Sequence, residues 1–394
     1  MQTDVTSPAG SVPIVPQALR DTATGMRDWL LDVAAPLWAT RGRTATGLFA
    51  ERITLDGVPD ASYFRSFVQA RHIFSFVAAG RLGWQGPWAD LVGQTADVLV
   101  KHARRADGFY VHRLSETGAV LDARADLYDQ AFILFALGTA GGALGREDLF
   151  DVAERLLDTL EQAWAHPQGG FTEGEIVDGS LRRQNPHMHL LEAFSTLASE
   201  SGRQRFWDAA VSIADLAQRR FIDPASGALL EYFAHDWQPL GTGTRRVGDI
   251  VEPGHCSEWA WLFERLAARG WSDGVCLSDG LVGFARSHGI DAARGVMIDE
   301  VWLDGSVRSA RARCWPQTER AKAAVARWLR LRNDTEADEV MAAVAGLHLY
   351  LAVDVPGLWR DKFRADGSWE EEFAPGSSLY HISCAIVELA QVLD

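Results

Sequence analysis

Apolar side chains recur every three to four residues along most of the chain, which is the spacing of amphipathic helices. Gly, Pro and clusters of polar residues separate these stretches and mark where helices begin and end. The pattern predicts an all-α protein with twelve helices. We place them at Gln17–Leu37, Tyr63–Ala79, Pro87–Ala103, Asp126–Gly141, Arg146–Ala163, Pro186–Ser199, Gln204–Arg220, His255–Arg269, Trp271–His288, Thr318–Leu331, Asp334–Val353 and Ser378–Leu393.

The predicted helices alternate between a buried and a peripheral character. The fourth, Asp126–Gly141, is apolar nearly all round, as expected for a helix that is enclosed on every side. The seventh, Gln204–Arg220, mixes apolar residues with Arg, Asp and Gln, which is typical of a helix with one face in solvent. We therefore expect the even-numbered helices to form an inner layer and the odd-numbered helices an outer layer, although the tenth is less apolar than the fourth.

A Gly–apolar–acid sequence precedes most of the even-numbered helices. It occurs at residues 47–51, 170–173, 227–231, 295–299 and 357–361, and Gly108 begins a version without the acid. These six glycines are 57 to 68 residues apart, which indicates six similar units of outer helix, extended loop and inner helix. Six such hairpins that close form an (α/α)6 barrel, here a single domain over residues 17–394. The alternative is an open helical solenoid, but neither terminal unit resembles a polar cap.

Composition narrows the partners and the compartment. A net charge of −15 without a basic cluster argues against nucleic acid or an anionic membrane as partner. The four cysteines, Cys256, Cys276, Cys314 and Cys384, form no C-x-x-C pair, which favours reduced thiols in a cytoplasmic protein. Residues 1–16 lack the features of a signal peptide, so we expect a flexible tail. No apolar run reaches the ~20 residues of a membrane-spanning helix.

Titratable and aromatic side chains collect near the amino ends of the inner helices. If these helices are parallel, their positive dipole ends surround one cavity at one mouth of the barrel. Asp126 and Asn185 are also suited to cap helices, but capping does not account for several His, Glu and Arg at the same end. The set includes Arg71, Tyr128, Asn185, His189, His255, Glu258, Trp315, Glu319 and His381.

The stretch at residues 252–261 carries the most specific arrangement. Pro253 and Gly254 break the preceding element, His255 follows near a helix start, and Glu258 lies three residues later on the same helix face. A titratable ring and a carboxylate at the positive end of a helix suit proton transfer beside a developing anion. We expect Glu258 to orient His255.

A metal site is the competing interpretation of the same residues. His255 and Glu258 offer two ligands on one face, and His189 offers a third. No His-Glu-x-x-His sequence or dense carboxylate cluster supports such a site, so we expect no metal. His187 lies two residues from His189 and faces elsewhere, so its expected role is structural.

Several of these residues stand in motifs that resemble those of the N-acylglucosamine 2-epimerase superfamily. The motifs keep their order and spacing over nearly the whole chain after the tail. They are Val-Gln-Ala-Arg at 68–71, Asp-Leu-Tyr-Asp-Gln-Ala-Phe at 126–132, Asn-Pro-His-Met-His-Leu-Leu-Glu-Ala at 185–193, Glu-Pro-Gly-His at 252–255, Trp-Pro-Gln-Thr-Glu at 315–319 and Tyr-His at 380–381. The resemblance implies an (α/α)6 barrel that isomerises or epimerises sugars at C2 without a metal or another cofactor.

The resemblance also implies residue roles. His255 and His381 correspond to the acid/base pair of the superfamily. The Glu-Pro-Gly-His and Trp-Pro-Gln-Thr-Glu forms resemble most the branch that acts on free mannose-type sugars, whereas Cys256-Ser257 and Ser377-Ser378 are less usual and leave the exact sugar open. The implied sugar-binding residues are Arg71, Tyr128, Asn185, His189, Arg245, Glu258, Trp315 and Glu319.

The expected function is a sugar isomerase that interconverts D-mannose and D-fructose, and also D-lyxose and D-xylulose, through a cis-enediol(ate). We expect His381 to remove the C2 proton and His255 to be the second proton carrier. The expected partner is a monosaccharide, and the expected assembly a monomer or homodimer. The alternatives are a C2 epimerase of a free sugar, an (α/α)6 glycoside hydrolase that uses Glu258 and Glu319, and a sugar-binding protein without activity.

Overall fold

The structure, a computed structural model, describes residues 15–60, 62–177, 181–240, 243 and 245–393. Residues 1–14 of the predicted flexible tail lie outside this part of the chain. The α-helices are α1 Gln17–Asp28, α2 Ala35–Thr40, α3 Ser66–Arg81, α4 Trp88–Val98, α5 Leu127–Leu144, α6 Glu147–Ala163, α7 Gln184–Ser201, α8 Gln204–Arg220, α9 Pro253–Ala268, α10 Gly274–His288, α11 Cys314–Leu331, α12 Asp334–Leu351 and α13 Gly376–Ala390. A π-helical segment, Trp29–Ala34, joins α1 to α2, and another, Leu99–Ala103, extends α4.

Alternate helices form the inner ring of a closed barrel. Helices α3, α5, α7, α9, α11 and α13 contact one another in this order, and α13 returns to contact α3. An outer helix packs on each of them: α4 on α3, α6 on α5, α8 on α7, α10 on α9, α12 on α11 and α1 on α13. The predicted (α/α)6 barrel is therefore confirmed, and the alternative of an open solenoid is wrong because the ring closes.

Helix α5 shows how enclosed the inner ring is. Its residues are buried from Asp129 to Gly141, on every face of the helix. Among the described residues, α5 is the one helix that is long and apolar enough to cross a membrane, yet 78% of that stretch is buried inside the protein. Its hydrophobicity is accounted for by its place in the barrel.

Short antiparallel strands connect the helices and gather at the amino ends of the inner helices. They are β1 Arg52–Thr54, β2 Pro59–Asp60, β3 Phe64–Arg65, β4 Arg113–Leu114, β5 Val120–Asp122, β6 Arg182–Arg183, β7 Tyr232–Phe233, β8 Ile250–Val251, β9 Ile290–Asp291, β10 Val296–Met297, β11 Glu300–Trp302, β12 Val307–Ser309, β13 Ala312–Arg313, β14 Lys362–Phe363 and β15 Phe373–Pro375. Their sheets have the orders β15-β1-β2, β3-β4-β5, β6-β7, β12-β11-β8, β10-β9 and β13-β14. Together they form the rim of one mouth of the barrel.

The repeated loops are fixed to the inner helices by a recurring Gln. The Gly that begins each loop has a positive φ, between 71° and 98°, which Gly adopts without steric cost, at Gly47, Gly108, Gly170, Gly227, Gly295 and Gly357. In three units, the fourth residue of the inner helix is a Gln whose side-chain amide exchanges two hydrogen bonds with one backbone unit of the loop. These pairs are Gln69 with Phe49, Gln130 with Tyr110 and Gln317 with Met297.

His187 replaces this Gln in the third unit. Its Nε2 accepts the backbone N–H of Phe171 at 3.0 Å, and its Nδ1–H donates to the carbonyl of Arg183 at 3.1 Å. The predicted structural role of His187 is confirmed.

The acid of the repeat holds the residue that precedes the inner helix. In three units this residue is an Arg, and the acid accepts both its backbone N–H and its guanidinium. The pairs are Glu51 with Arg65, Glu173 with Arg183 and Asp299 with Arg313. Two units depart from this pattern, because Glu252 precedes α9 and Pro375 precedes α13. The corresponding acids, Glu231 and Asp361, thus have no Arg at that position to bind.

Four inner helices begin earlier than predicted. Their first residues are Gln184, Pro253, Cys314 and Gly376, two to four residues before the predicted starts. The prediction treated Pro as a break, but a Pro within the first turn costs no hydrogen bond, since the N–H that it lacks would have no helical acceptor. Asn185 therefore lies inside α7 and does not cap it, whereas Asp126 caps α5 by accepting from the N–H of Tyr128.

Candidate active site

A ring of buried side chains lies one turn below the amino ends of the inner helices. The sixth residue of each inner helix contributes one member: Arg71, Phe132, His189, Glu258, Glu319 and His381. Neighbours in the ring are in contact. The Arg71 guanidinium carbon is 4.3 Å from the Phe132 ring centre, and the Phe132 and His189 ring centres are 4.4 Å apart. The period seen in the sequence therefore corresponds to one level of the barrel.

A cavity of about 280 Å³ opens above this ring. Eight of the ten predicted site residues line it: Arg71, Tyr128, Asn185, His189, His255, Glu258, Trp315 and His381. Glu319 lies beneath the cavity and contacts His381. Arg245 is not among the residues that the structure brings together, because its side chain is 61% exposed and its Nη2 donates to Ser306 Oγ at 3.2 Å in the loop between β11 and β12.

His255 is held by a carboxylate from the repeated loop. Its Nδ1–H donates to Glu231 Oε2 at 2.9 Å, and Glu252 Oε1 is 4.0 Å from the same nitrogen. Burial alone would lower the pKa of His255, but the charges of Glu231 and Glu252 outweigh it and raise the pKa to about 9. The ring is therefore protonated at neutral pH. The Asn185 side-chain nitrogen Nδ2 lies 3.2 Å from Nε2, and a 180° turn of the amide would let its oxygen, which has no partner among the described residues, accept the Nε2–H.

His381 has the same geometry and the opposite electrostatics. Its Nδ1–H donates to Glu319 Oε1 at 2.8 Å, which leaves the Nε2 lone pair for the cavity. Burial holds the pKa of His381 well below its ordinary value, and the positive charges of Arg71 and Lys322 act in the same direction. Lys322 Nζ lies 2.5 Å from Glu319 Oε2, so an ammonium stands beside the carboxylate that binds the ring. His381 is therefore neutral at neutral pH.

Lys322 is a buried cation below the cavity. Its side chain is inaccessible to solvent, and Nζ is 3.8 Å from the Trp261 ring centre and 3.9 Å from Glu258 Oε1. Burial opposes its charge, but Cys384, Glu319 and Glu258 raise the pKa of Lys322 above its ordinary value. The ammonium therefore stays charged and offsets the buried carboxylates around it.

Glu258 faces the cavity as a protonated acid. Both of its carboxyl oxygens are buried and lack a hydrogen-bond partner among the described residues. Burial and the charge of Glu319 raise the pKa of Glu258 to about 8, although Lys322 acts in the other direction. At neutral pH Glu258 is thus mainly neutral and can donate a hydrogen bond to a ligand.

Trp315 lies between the two catalytic candidates. Its ring centre is 4.8 Å from that of His255 and 5.8 Å from that of His381. Gly254 makes room for the indole, since a Cβ at this position would be 2.7 Å from two of the Trp315 ring carbons. The two imidazoles, which are far apart in sequence, therefore flank one aromatic side chain in one cavity.

Arg71 supplies positive charge to the cavity from helix α3. Its Nη2 donates to the Tyr128 hydroxyl at 2.6 Å and its Nη1 to the Ser377 carbonyl at 3.1 Å. No carboxylate of the described residues forms an ion pair with Arg71. Its charge is thus available to an anionic group in the cavity.

The comparisons with known proteins agree with this architecture. Residues 47–385 match the sequence model of the N-acylglucosamine 2-epimerase (GlcNAc 2-epimerase) family. The chain belongs to this family. It is 40% identical over 377 residues to a protein of Rhizobium meliloti (strain 1021) named mannose-6-phosphate isomerase, a match that covers 93% of this chain and 96% of the relative.

Two solved structures share the fold of this epimerase-family protein. One is a D-mannose isomerase, with a TM-score of 0.83 and 19% identity, covering 98% of this chain and all of the other. The second is the cellobiose 2-epimerase from Bacillus thermoamylovorans B4167, with a TM-score of 0.85 and 16% identity, covering 94% of this chain and all of the other. Family membership and these relatives make the protein a sugar isomerase or epimerase.

Five charged residues of this epimerase-family site were not among the predicted ones: Glu231, Lys322 and Asp361, together with Glu252 and Arg313, which line the cavity. Glu231 takes the role that was expected of Glu258, since it is the carboxylate that binds His255. Its signal was the Gly–apolar–acid repeat, in which Glu231 is followed by an inner helix without a preceding Arg. Asp361, which lines the cavity, carries the same signal. Lys322 carries the weaker signal of a Lys among apolar residues of an inner helix.

Three groups of residues bring ligand atoms close enough to share a metal ion. They are His189 with Glu192 and Glu258; Glu231 with Glu252 and His255; and Glu258 with Glu319 and His381. In the last two groups the imidazole Nδ1 already donates to a carboxylate. An ion at that nitrogen would have to replace its proton. His189 has its pKa lowered to about 4 by burial, and its Nδ1 lies 3.5 Å from Glu192, which also accepts from the Tyr380 hydroxyl.

Proposed function

We propose that the protein interconverts D-mannose and D-fructose by moving a proton between C2 and C1 through a cis-enediol(ate). The observation that carries this proposal is the pair of imidazoles, His255 and His381, each bound through Nδ1 to a carboxylate and both beside Trp315. The reaction requires a base and an acid on one small substrate, and the two rings are in opposite protonation states at neutral pH.

In this proposal His381 removes the C2 proton. Its Nδ1–H is fixed by Glu319, so Nε2 is the basic atom, and its lone pair is free at neutral pH. Proton transfer leaves negative charge on the oxygens of the enediolate. This charge is stabilised by three residues that line the same cavity. They are Arg71, protonated His255 and Glu258, whose carboxyl group donates its proton in a hydrogen bond.

The fate of the proton decides between isomerase and epimerase. Protonation of C1 by His381 gives the ketose, whereas delivery of a separate proton from His255 to the opposite face of C2 gives the epimer. D-Lyxose is a further aldose for the same site. The glycoside hydrolase alternative loses support, because Glu319 does not line the cavity and so does not face a bound sugar together with Glu258.

The test is incubation of the protein with D-mannose in D₂O, followed by NMR. We expect fructose with deuterium at C1. Glucose as the first product would make the protein a C2 epimerase, and the absence of any change in the sugar would reject both. Activity that survives exhaustive chelation would support the expected metal-free chemistry.

We also propose that residues 17–394 act as one catalytic domain, since one ring of helices encloses the whole cavity. Limited proteolysis that releases an active fragment lacking an inner helix would contradict this proposal. Light scattering would decide between a monomer and a homodimer.

A further inference from the structure

Asp361 is the exception among the acids of the repeat. Glu51, Glu173 and Asp299 each bind an Arg that precedes an inner helix, whereas the residue before α13 is Pro375, which offers neither a guanidinium nor an N–H. No group of the described residues hydrogen-bonds or forms an ion pair with the Asp361 carboxylate. The Asp361 carboxylate therefore holds no other element of the fold in place.

The main chain fixes Asp361 at the wall of the cavity. Its carbonyl accepts the N–H of Cys314, the first residue of α11, at 2.8 Å. Its side chain lines the cavity together with Glu252, Arg313 and Pro375. Burial raises the pKa of Asp361 to about 6, although Arg313 acts in the other direction, so the group is mainly charged at neutral pH.

This wall of the cavity carries more negative than positive charge. Arg313 is shared between two carboxylates, with Nη2 2.8 Å from Glu252 Oε2 and Nε 3.0 Å from Asp299 Oδ1. Asp361 adds a third carboxylate beside the same Arg. Arg71, which has no such acidic partner among the described residues, lies one turn deeper, on α3. The cavity is thus positive beside the reacting carbons and negative at this part of the rim.

We propose that Asp361 is a specificity-determining residue: its carboxylate accepts a hydrogen bond from a sugar hydroxyl remote from C1 and C2, and with Glu252 it excludes phosphorylated sugars. The inference rests on the proposed aldose–ketose isomerisation. An unpaired carboxylate at a fixed position accepts strongly from a hydroxyl, and it repels a phosphate that enters the same low-dielectric cavity. The Rhizobium relative is named mannose-6-phosphate isomerase, and this name alone would lead one to expect a phosphorylated sugar as the substrate.

The experiment compares kcat/KM for D-mannose and D-mannose 6-phosphate in the wild type, Asp361→Asn and Asp354→Asn. Asp354 is exposed on the loop before β14. Asp354→Asn therefore removes one negative charge, as Asp361→Asn does, but at a position outside the cavity. We expect the wild type to favour mannose at least about 100-fold, given like-charge repulsion at a desolvated site. Asp361→Asn should lower kcat/KM for mannose about tenfold, mainly through KM, and narrow the preference over the phosphate. Asp354→Asn should match the wild type.

Stability distinguishes a binding role from a structural one. Because the Asp361 carboxylate has no partner in the fold, Asp361→Asn should leave Tm unchanged or raise it. A lower Tm with a parallel loss of activity would overturn the inference, as would an unchanged kcat/KM in Asp361→Asn. A wild type that isomerises the 6-phosphate in preference to mannose would overturn the inference and leave the isomerisation intact. Turnover of neither sugar would overturn both proposals.

Discussion

His255 donates its Nδ1–H to Glu231 Oε2 across 2.9 Å, although 24 residues separate the two along the chain. Glu258, which follows His255 by three residues on the same helix, instead groups with Glu319 and His381. Glu231 makes no ion pair with Arg or Lys among the described residues, so its full charge acts on the imidazole. This difference in surroundings, and not a difference in the rings themselves, separates the protonated His255 from the neutral His381, which are the proposed acid and base.

Replacement of Glu231 by Gln tests this relationship. Without the carboxylate, burial should dominate and the pKa of His255 should fall, so that the ring loses its proton at a lower pH. We expect kcat to fall about 100-fold at neutral pH, within the range for loss of one acid–base partner, and the alkaline limb of the pH–rate profile to move to lower pH. Glu173→Gln, at the matching position of the third unit, should lower Tm without moving that limb. An unmoved alkaline limb in Glu231→Gln would reject the assignment.

The pH–rate profile of the wild type should be flat around neutral pH. His381 is the proposed base, and its lowered pKa means that the neutral form persists as the pH falls below the ordinary range for His. His255 acts as an acid with a pKa of about 9, and Glu258 keeps its proton up to about 8, so activity should decline as the pH rises through this range. The test is to measure kcat between pH 4 and pH 10 in steps of about half a pH unit. A profile that falls between pH 7 and 6 would contradict the assignment of His381 as the base.

Lys322→Met should affect both the fold and the base. Removing one partner of a buried pair costs about 3–5 kcal/mol of unfolding free energy, because the remaining carboxylates lose their counter-charge. Loss of the ammonium also removes a positive charge that lowers the pKa of His381, so this pKa should rise and the acidic limb of the profile should move to higher pH. Chemical denaturation and the pH–rate profile measure the two effects.

The double variant Glu319→Gln/Lys322→Met is the control for this prediction. It removes the carboxylate together with the ammonium, so it should recover part of the lost stability and return the acidic limb to lower pH. If Lys322→Met leaves the acidic limb in place while it destabilises the protein, Lys322 is structural and does not set the state of His381.

Gly254→Ala should displace Trp315 from the two imidazoles. The added Cβ would lie 2.7 Å from two ring carbons of the indole, and overpacking of this kind costs about 1–3 kcal/mol. We expect a change in the near-ultraviolet circular dichroism of Trp and a loss of kcat of at least about tenfold, since a small misplacement of catalytic groups is costly. Gly280→Ala in α10, where a Cβ meets nothing within 4 Å, should leave both unchanged. Full activity in Gly254→Ala would show that the position of Trp315 does not matter.

The sequence predicted the barrel well because its signals repeat. Six glycines at a near-constant period, and polar residues at the same depth of five of the six inner helices, reflect one local geometry that recurs around the ring. Side-chain pairings between the loop of a unit and its inner helix could not be predicted from the sequence. The prediction that Glu258 orients His255 used helix periodicity alone, whereas the partner, Glu231, comes from a loop that the fold brings against the first turn of α9.

The helix starts show a second limit of the same reasoning. Pro186, Pro253 and Pro316 looked like boundaries, yet each is accommodated in the first turn of its helix. Lys322 was not singled out either, because a lone Lys in a helix is usually solvated, and its burial depends on Trp261 and Glu319 from two different positions of the ring.

The central claim is that His381 takes the C2 proton of the sugar. The most direct measurement is the loss of the C2 hydrogen of D-mannose in D₂O, followed by proton NMR, for the wild type and for His381→Asn. We expect the wild type to exchange the C2 hydrogen or to isomerise the sugar. In His381→Asn the rate of C2-hydrogen loss should be at least about 1,000-fold lower, with Tm and mannose affinity unchanged. Exchange at the wild-type rate in folded His381→Asn would contradict it.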